Sequence, residues 1–282
     1  MSKHIVIKRK TIRDIAAMKT AKLPIVCLTA YTAPVARLAD QHADLILVGD
    51  SLGNVIYGFD STIPVTMDIM VAHGRAVVNA TSQALVVVDM PFGSYQESPG
   101  QAFSNAARLL KETGCQAVKF EGGSEMAETI KFLVERGIPV MGHIGLQPQS
   151  VHGAGGYHVT GRAVAERVKL MEDAKAVAAA GAFSLVLECM DSSLAAQVTN
   201  VIKTPTIGIG AGPDCDGQIL VCDDMLGLSE GPLPKFVKTY GTVGRGIDDA
   251  FAQYSSEVRN RRFPDAGHSY GDAAKKKLRA VD

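Results

Sequence analysis

Seven residues able to do chemistry stand at the ends of apolar runs: Asp50 and Ser51 after LILVG, Asp89 after LVVV, Lys119 and Glu121 in AVKFE, His143 in IPVMGHIGL, and Glu188 in FSLVLE. One acid at such a place reads as a helix cap or a solvated turn. Asp50, Asp89 and Glu121 on three neighbouring strands read differently, because like charges held together repel unless a cation joins them. Oxygen donors without Cys or His at metal-finger spacing suit a hard ion such as Mg²⁺, with Mn²⁺, Co²⁺ or Zn²⁺ as substitutes in vitro. For His143 three readings stay open: a structural donor, a zinc ligand, or a hydrogen bonder to substrate. The string GIGAG at 208–212 is a weak signal for an anion cradle, since tight turns use glycine equally.

The elements that must position these groups are eight short, near-continuous apolar runs, starting at Pro24, Leu45, Leu85, Ala117, Ile138, Phe183, Pro205 and Gln218. Runs of this kind are strands covered on both faces of a parallel sheet. Helical spacing fills the gaps over Pro34 to His42, Met67 to Ser82, Pro99 to Thr113, Glu125 to Arg136 and Ala163 to Ala180, with Gly114, Gly137 and Gly181 where left-handed caps belong. Strands alternating with helices, without a linker or composition break, predict a single-domain TIM (β/α)₈ barrel over 1–282. In that fold, chemistry gathers at the carboxyl ends of the strands. Side chains two apart share a strand face, which aligns Lys119 with Glu121, Val186 with Glu188, and Ile46 and Val48 with Asp50.

Two irregularities stand out. The gap between PTIGIGAG and QILVCDD is too short for a full crossover helix. TIRDIAAMK near the start has helical spacing and is placed to close the barrel floor, whereas 255–282 is polar and reads as a surface segment or a partly disordered tail.

Composition narrows the function. Lys plus Arg and Asp plus Glu each number 29, so no bulk charge steers the chain to nucleic acid or an anionic membrane. No apolar run approaches the ~18 residues of a membrane span, and the start MSKHIVIKRK lacks a signal-length apolar stretch, which predicts a cytoplasmic protein. Five scattered cysteines without a C-x-x-C pair read as reduced thiols.

LTAY, LILVGDSLG, TIPVT, DMPFGSY, VKFEGG, GHIGLQPQS, GGYHVTGR, VLEC, GIGAG and DGQILV, in this order, make almost the whole chain resemble the ketopantoate hydroxymethyltransferase family. The resemblance implies a (β/α)₈ barrel, Mg²⁺, 5,10-methylenetetrahydrofolate as one-carbon donor and 3-methyl-2-oxobutanoate as acceptor. It also implies Asp50 and Asp89 as metal ligands with Glu121 near the metal through water, and Ser51 and Lys119 on the oxo acid. By the same resemblance His143 lines the substrate pocket, Glu188 is the general base, and the assembly is a homo-oligomer, commonly a decamer. Thr32, Asn54, Asp191 and Gly267 depart from the family pattern, and GDAAKKKLRAVD extends beyond it. The rival readings are a Mg²⁺-dependent lyase of the phosphoenolpyruvate mutase and isocitrate lyase type, whose K-K-C-G-H-like signature is absent, and a non-catalytic metabolite-binding barrel.

Overall fold

A computed structural model describes residues 8–229 and 231–270. Eight parallel strands close a barrel in chain order: β1 Ile25–Thr29, β2 Leu45–Val48, β3 Leu85–Asp89, β4 Ala117–Glu121, β5 Val140–Gly145, β6 Ser184–Glu188, β7 Thr206–Ile209 and β8 Gly217–Leu220. The ring is completed where β1 pairs with β8, Cys27 opposite Ile219. All eight apolar runs are therefore strands.

Crossover helices follow local signals. Over Pro99–Thr113, Ser98 caps the start by accepting from the Gln101 N–H, a proline occupies the first turn, and Gly114 ends the helix at φ 78°. The helices Ala33–Ala39, Met67–Ala80 and Val164–Ala179 stand where the apolar spacing places them. The segment from Glu125 is split into a 3₁₀ turn, Ser124–Met126, and the helix Ala127–Val134. Two more helices, Ser192–Val201 and the five-residue Cys222–Leu226, complete the wall. Between β7 and β8 a loop replaces the helix, as the short gap requires.

Alternation along the strands sorts side chains into two apolar clusters. Leu45, Leu85, Val87, Ala117, Met141, Val186 and Ile207 fill the barrel, while Ile46, Val86, Val118, Leu185 and Leu187 face the helices. Ile15 of the helix Ile12–Thr20 joins the inner cluster fully buried, so this helix closes the floor. Burying one such side chain contributes about 1.5–3 kcal/mol. The helix is held by a capping box in which Thr11 and Asp14 satisfy each other's backbone N–H groups.

A last helix, Val243–Arg259, buries none of its residues on the barrel. Val243, Ile247, Phe251, Tyr254 and Val258 form an exposed apolar stripe at spacings of three and four residues. The polar segment expected from 255 onward thus begins inside a helix, and its part at 271–282 lies outside the described residues. Among the described residues no helix is long and apolar enough to cross a membrane.

Candidate active site

The same alternation that packs the barrel carries charge to its upper end. On β3 the inward series Leu85, Val87 ends in Asp89, and on β4 Ala117 is followed by Lys119 and Glu121. On β5 Met141 precedes His143, and on β6 Val186 precedes Glu188. Register sets them side by side, Asp89 opposite Lys119 and Glu121 opposite His143. A floor and middle of aliphatic side chains therefore give way to one charged layer at the carboxyl ends.

Asp50 arrives differently. Ile46 and Val48 point outward to the helices, so a continued strand would turn Asp50 away from the barrel. The strand stops at Val48, and Gly49 makes the turn that brings Asp50 inward. A Cβ on Gly49 would lie 2.8 Å from Ser51 Oγ and 3.5 Å from Asp89 Oδ2, so the close approach of Asp50 to Asp89 needs glycine there. The expected alignment of Asp50 with Ile46 and Val48 is corrected accordingly, although its destination is the expected one.

Asp50, Asp89, Lys119, Glu121, His143 and Glu188 line one cavity of about 560 Å³, within the range of small-molecule sites. Ser51 lines it too and shares a 2.8 Å hydrogen bond with the buried Tyr31 hydroxyl. Lys119 Nζ donates to Asp89 Oδ1 at 2.7 Å, and the Asp50 N–H donates to Asp89 Oδ2 at 3.0 Å. His143 places Nε2 3.2 Å from Glu188 Oε2 and Nδ1 3.8 Å from Glu121 Oε1. Neither ring nitrogen makes a hydrogen bond, so this buried imidazole has donor and acceptor capacity to spare.

Asp50, Asp89 and Glu121 of this layer are buried and outnumber its one ammonium, Lys119. Burial, reinforced by Asp89, pushes the Asp50 carboxyl up to about 7 against the pull of Lys119. Burial, with Asp50 and Glu188, holds Glu121 well above the usual carboxylate range. Burial would lower the Lys119 ammonium, but Asp89, Asp50 and Glu121 outweigh it and raise it. Three buried carboxylates around one ammonium form a donor set that fits a divalent, oxygen-seeking cation. Among the described residues, however, no three His, Cys, Asp or Glu side chains are close enough to enclose an ion by themselves. Gln149 stands between two of the acids, its side-chain amide bonded to Asp50 and its backbone N–H to Glu121. Asp50 and Asp89 are the adjacent pair, and Glu121 is set apart.

Gln149, Tyr95 and Thr62 are buried parts of the site that charge alone does not reveal. Tyr95 Oη donates to Gln149 Oε1 at 2.7 Å and accepts from the Glu121 N–H at 3.2 Å. Thr62 lines the cavity with an unpaired hydroxyl. All three fall in motifs already singled out, DMPFGSY, TIPVT and GHIGLQPQS, but neutral side chains beyond strand ends carry no signal of their own. Tyr157, Lys235 and Phe236 stand at the same cavity. Gly210 of the GIGAG string has φ 67°, and a Cβ there would meet the Phe236 ring at 2.8 Å, which accounts for this glycine by close packing.

A parallel barrel with acids, lysine and histidine converging at its carboxyl end defines an enzyme of the (β/α)₈ class. The family model for ketopantoate hydroxymethyltransferase matches residues 9–266, and the chain belongs to that family. The 3-methyl-2-oxobutanoate hydroxymethyltransferase of Cereibacter sphaeroides is 61% identical, covering 94% of this chain and 95% of that protein. That of Rhodospirillum rubrum is 58% identical over the same shares. Among solved structures, a phosphoenolpyruvate phosphomutase from Streptomyces platensis subsp. rosaceus aligns with TM-score 0.59 at 14% identity, covering 95% of each chain. A phosphonopyruvate hydrolase complexed with oxalate and Mg²⁺ aligns at 0.57 with 13% identity, covering 96% of this chain and 98% of that one. These distant likenesses speak to fold; the sequence relatives decide between the transferase and lyase readings.

Proposed function

We propose that this chain transfers a hydroxymethyl group from 5,10-methylenetetrahydrofolate to 3-methyl-2-oxobutanoate, giving 2-dehydropantoate. The observation that carries the reading is the single charged layer in which Asp50, Asp89, Lys119, Glu121, His143 and Glu188 face one cavity. In this reading Asp50 and Asp89 would hold a divalent cation, Mg²⁺ by donor type, with Glu121 near it. Such a cation, when bound, polarises the oxo acid as a Lewis acid.

The chain's own groups do the rest. Ser51 and Lys119 bind the oxo acid, and Lys119 keeps its positive charge close to where enolate charge develops. Glu188 removes the proton from the branched carbon, with its carboxylate at the cavity wall and the His143 ring beside it. The resulting carbanion equivalent forms a carbon–carbon bond to the methylene carbon as one of its two bonds to folate nitrogen opens. Water then supplies the hydroxyl as the second carbon–nitrogen bond breaks. Tetrahydrofolate leaves with its two nitrogens protonated, one proton from the branched carbon and one from the water. Tyr157 and Phe236 offer aromatic surface at the cavity for the second substrate.

The exposed apolar stripe on Val243–Arg259 supports assembly of several copies, and a decamer is the proposed size. Light scattering after gel filtration measures it. The function itself is tested by supplying both substrates with Mg²⁺ and following 2-dehydropantoate and tetrahydrofolate. Equal formation of the two supports the transferase; turnover of the oxo acid without folate consumption refutes it.

A further inference from the structure

Resting on the metal-dependent reading above, we infer that Gln149 is a positioning residue for the cation site, fixing Asp50 and Glu121 without adding charge. Gln149 sits in the 3₁₀ turn Pro148–Ser150 after β5 and is 4% exposed. Its side-chain amide donates to Asp50 Oδ2 at 2.8 Å and to the Met90 carbonyl at 3.0 Å. Its Oε1 accepts from the Tyr95 hydroxyl at 2.7 Å and from Gln96 Nε2 at 3.3 Å. Its backbone N–H donates to Glu121 Oε2 at 3.1 Å.

These partners leave one orientation for the amide. Reversed, its oxygen would meet the Asp50 carboxylate and the Met90 carbonyl, two acceptors. Held as it is, the amide binds Asp50 through Oδ2 and does not touch Oδ1. A lysine or arginine could tie the same oxygen, but its charge would neutralise Asp50 and compete with the cation. Glutamine gives the geometry while preserving the negative charge that attracts the metal. Tyr95 in turn locks Gln149, since its hydroxyl bonds both Gln149 Oε1 and the Glu121 N–H. Asp50 thus depends on this neutral side chain and its tyrosine brace, while the Glu121 carboxylate is held by the backbone N–H of the same residue.

The test is binding of Mn²⁺ alone, followed by electron paramagnetic resonance, to the full-length wild type, Gln149→Ala, Tyr95→Phe and the double variant. Loss of partners behind metal ligands commonly weakens metal binding by about 10–100-fold. Gln149→Ala is expected in that range, Tyr95→Phe weaker in the same direction, and the double variant no worse than Gln149→Ala. Activity of Gln149→Ala is expected to recover as Mn²⁺ is raised, which a merely unfolded fraction would not do. Should Gln149→Ala fail to fold, Tyr95→Phe carries the same measurement. Unchanged Mn²⁺ affinity in the folded variants, or additive effects in the double variant, overturns the role of Gln149. If the wild type itself binds no Mn²⁺, it is the metal-dependent reading that fails instead.

Discussion

His143 and Glu188 meet across β5 and β6 with Nε2 and Oε2 3.2 Å apart, and the imidazole makes no hydrogen bond to protein. The pair is two residues out of register, since Gly145 lies opposite Glu188 and His143 lies opposite Val186. Glu188 therefore leans back over the cavity toward a ring that is itself 2% exposed. A carboxylate so placed is suited to take a proton from a bound carbon acid.

Glu188→Gln keeps the shape of the side chain but removes its basicity. General-base groups contribute about 10²–10⁴-fold to rate. Deuterium exchange at the branched carbon of 3-methyl-2-oxobutanoate, followed by NMR, is expected to fall within that range while metal and oxo acid still bind. Exchange at the wild-type rate removes Glu188 from the role.

Gly145 lies just past His143 with φ 97°, and a Cβ there would stand 2.3 Å from the Glu188 carbonyl oxygen. Gly145→Ala must displace the end of β6. Steady-state kinetics are expected to show a lower kcat with KM for the oxo acid little changed, because the base moves and the oxo acid contacts do not. A change confined to KM contradicts this.

Asp89→Ala removes both a proposed metal ligand and the partner of Lys119. Calorimetry is expected to show lost divalent-cation affinity. Lys119 and Asp89 have side-chain exposures of 7% and 3%, and stranding a buried charge costs about 3–5 kcal/mol, so metal-free melting should also fall. Asp50→Ala shares the first effect. Intact metal affinity in both variants refutes the site.

Asp40, far from the cavity, is expected to contribute stability that is lost in acid. Its carboxylate accepts from the N–H groups of Ser82, Gln83 and Ala84 and from the Ser82 hydroxyl, at 2.7 to 3.2 Å. Burial would raise its pKa, but these bonds prevail and hold it below the usual value of 3.8. A carboxyl with a lowered folded pKa stabilises above its unfolded pKa, and that contribution disappears as pH falls through the folded value. Asp40→Asn is expected to cost about 1–3 kcal/mol at neutral pH, with the two denaturation curves converging in acid. A constant gap from pH 7 down to pH 2 would falsify the assignment.

Much of this site was legible because a strand leaves little choice. Once Leu85 and Val87 face inward, Asp89 must, and the same holds for Glu121 after Lys119 and for Glu188 after Val186. Asp50 was harder, since its orientation comes from the turn at Gly49 and not from strand alternation. Gln149 and Tyr95 were not legible at all: an uncharged residue in a loop announces nothing until the chain brings it against Asp50 and Glu121. The helix Val243–Arg259 was not read from the sequence either: its apolar stripe packs on nothing in the single chain, so the segment carries no strand-and-helix alternation to mark it.

The loop that stands in for a helix between β7 and β8 leaves its mark on the outer wall. Val26 and Gln218, paired in register on β1 and β8, both point outward into solvent, where their counterparts around the rest of the ring, such as Ile46 and Val86, lie under helices. Amide protons along this closing seam lack the apolar cover that slows exchange elsewhere. The ring should therefore breathe first where it was joined last, with β1 parting from β8 before the strands bearing Asp89, Lys119 and Glu121 loosen.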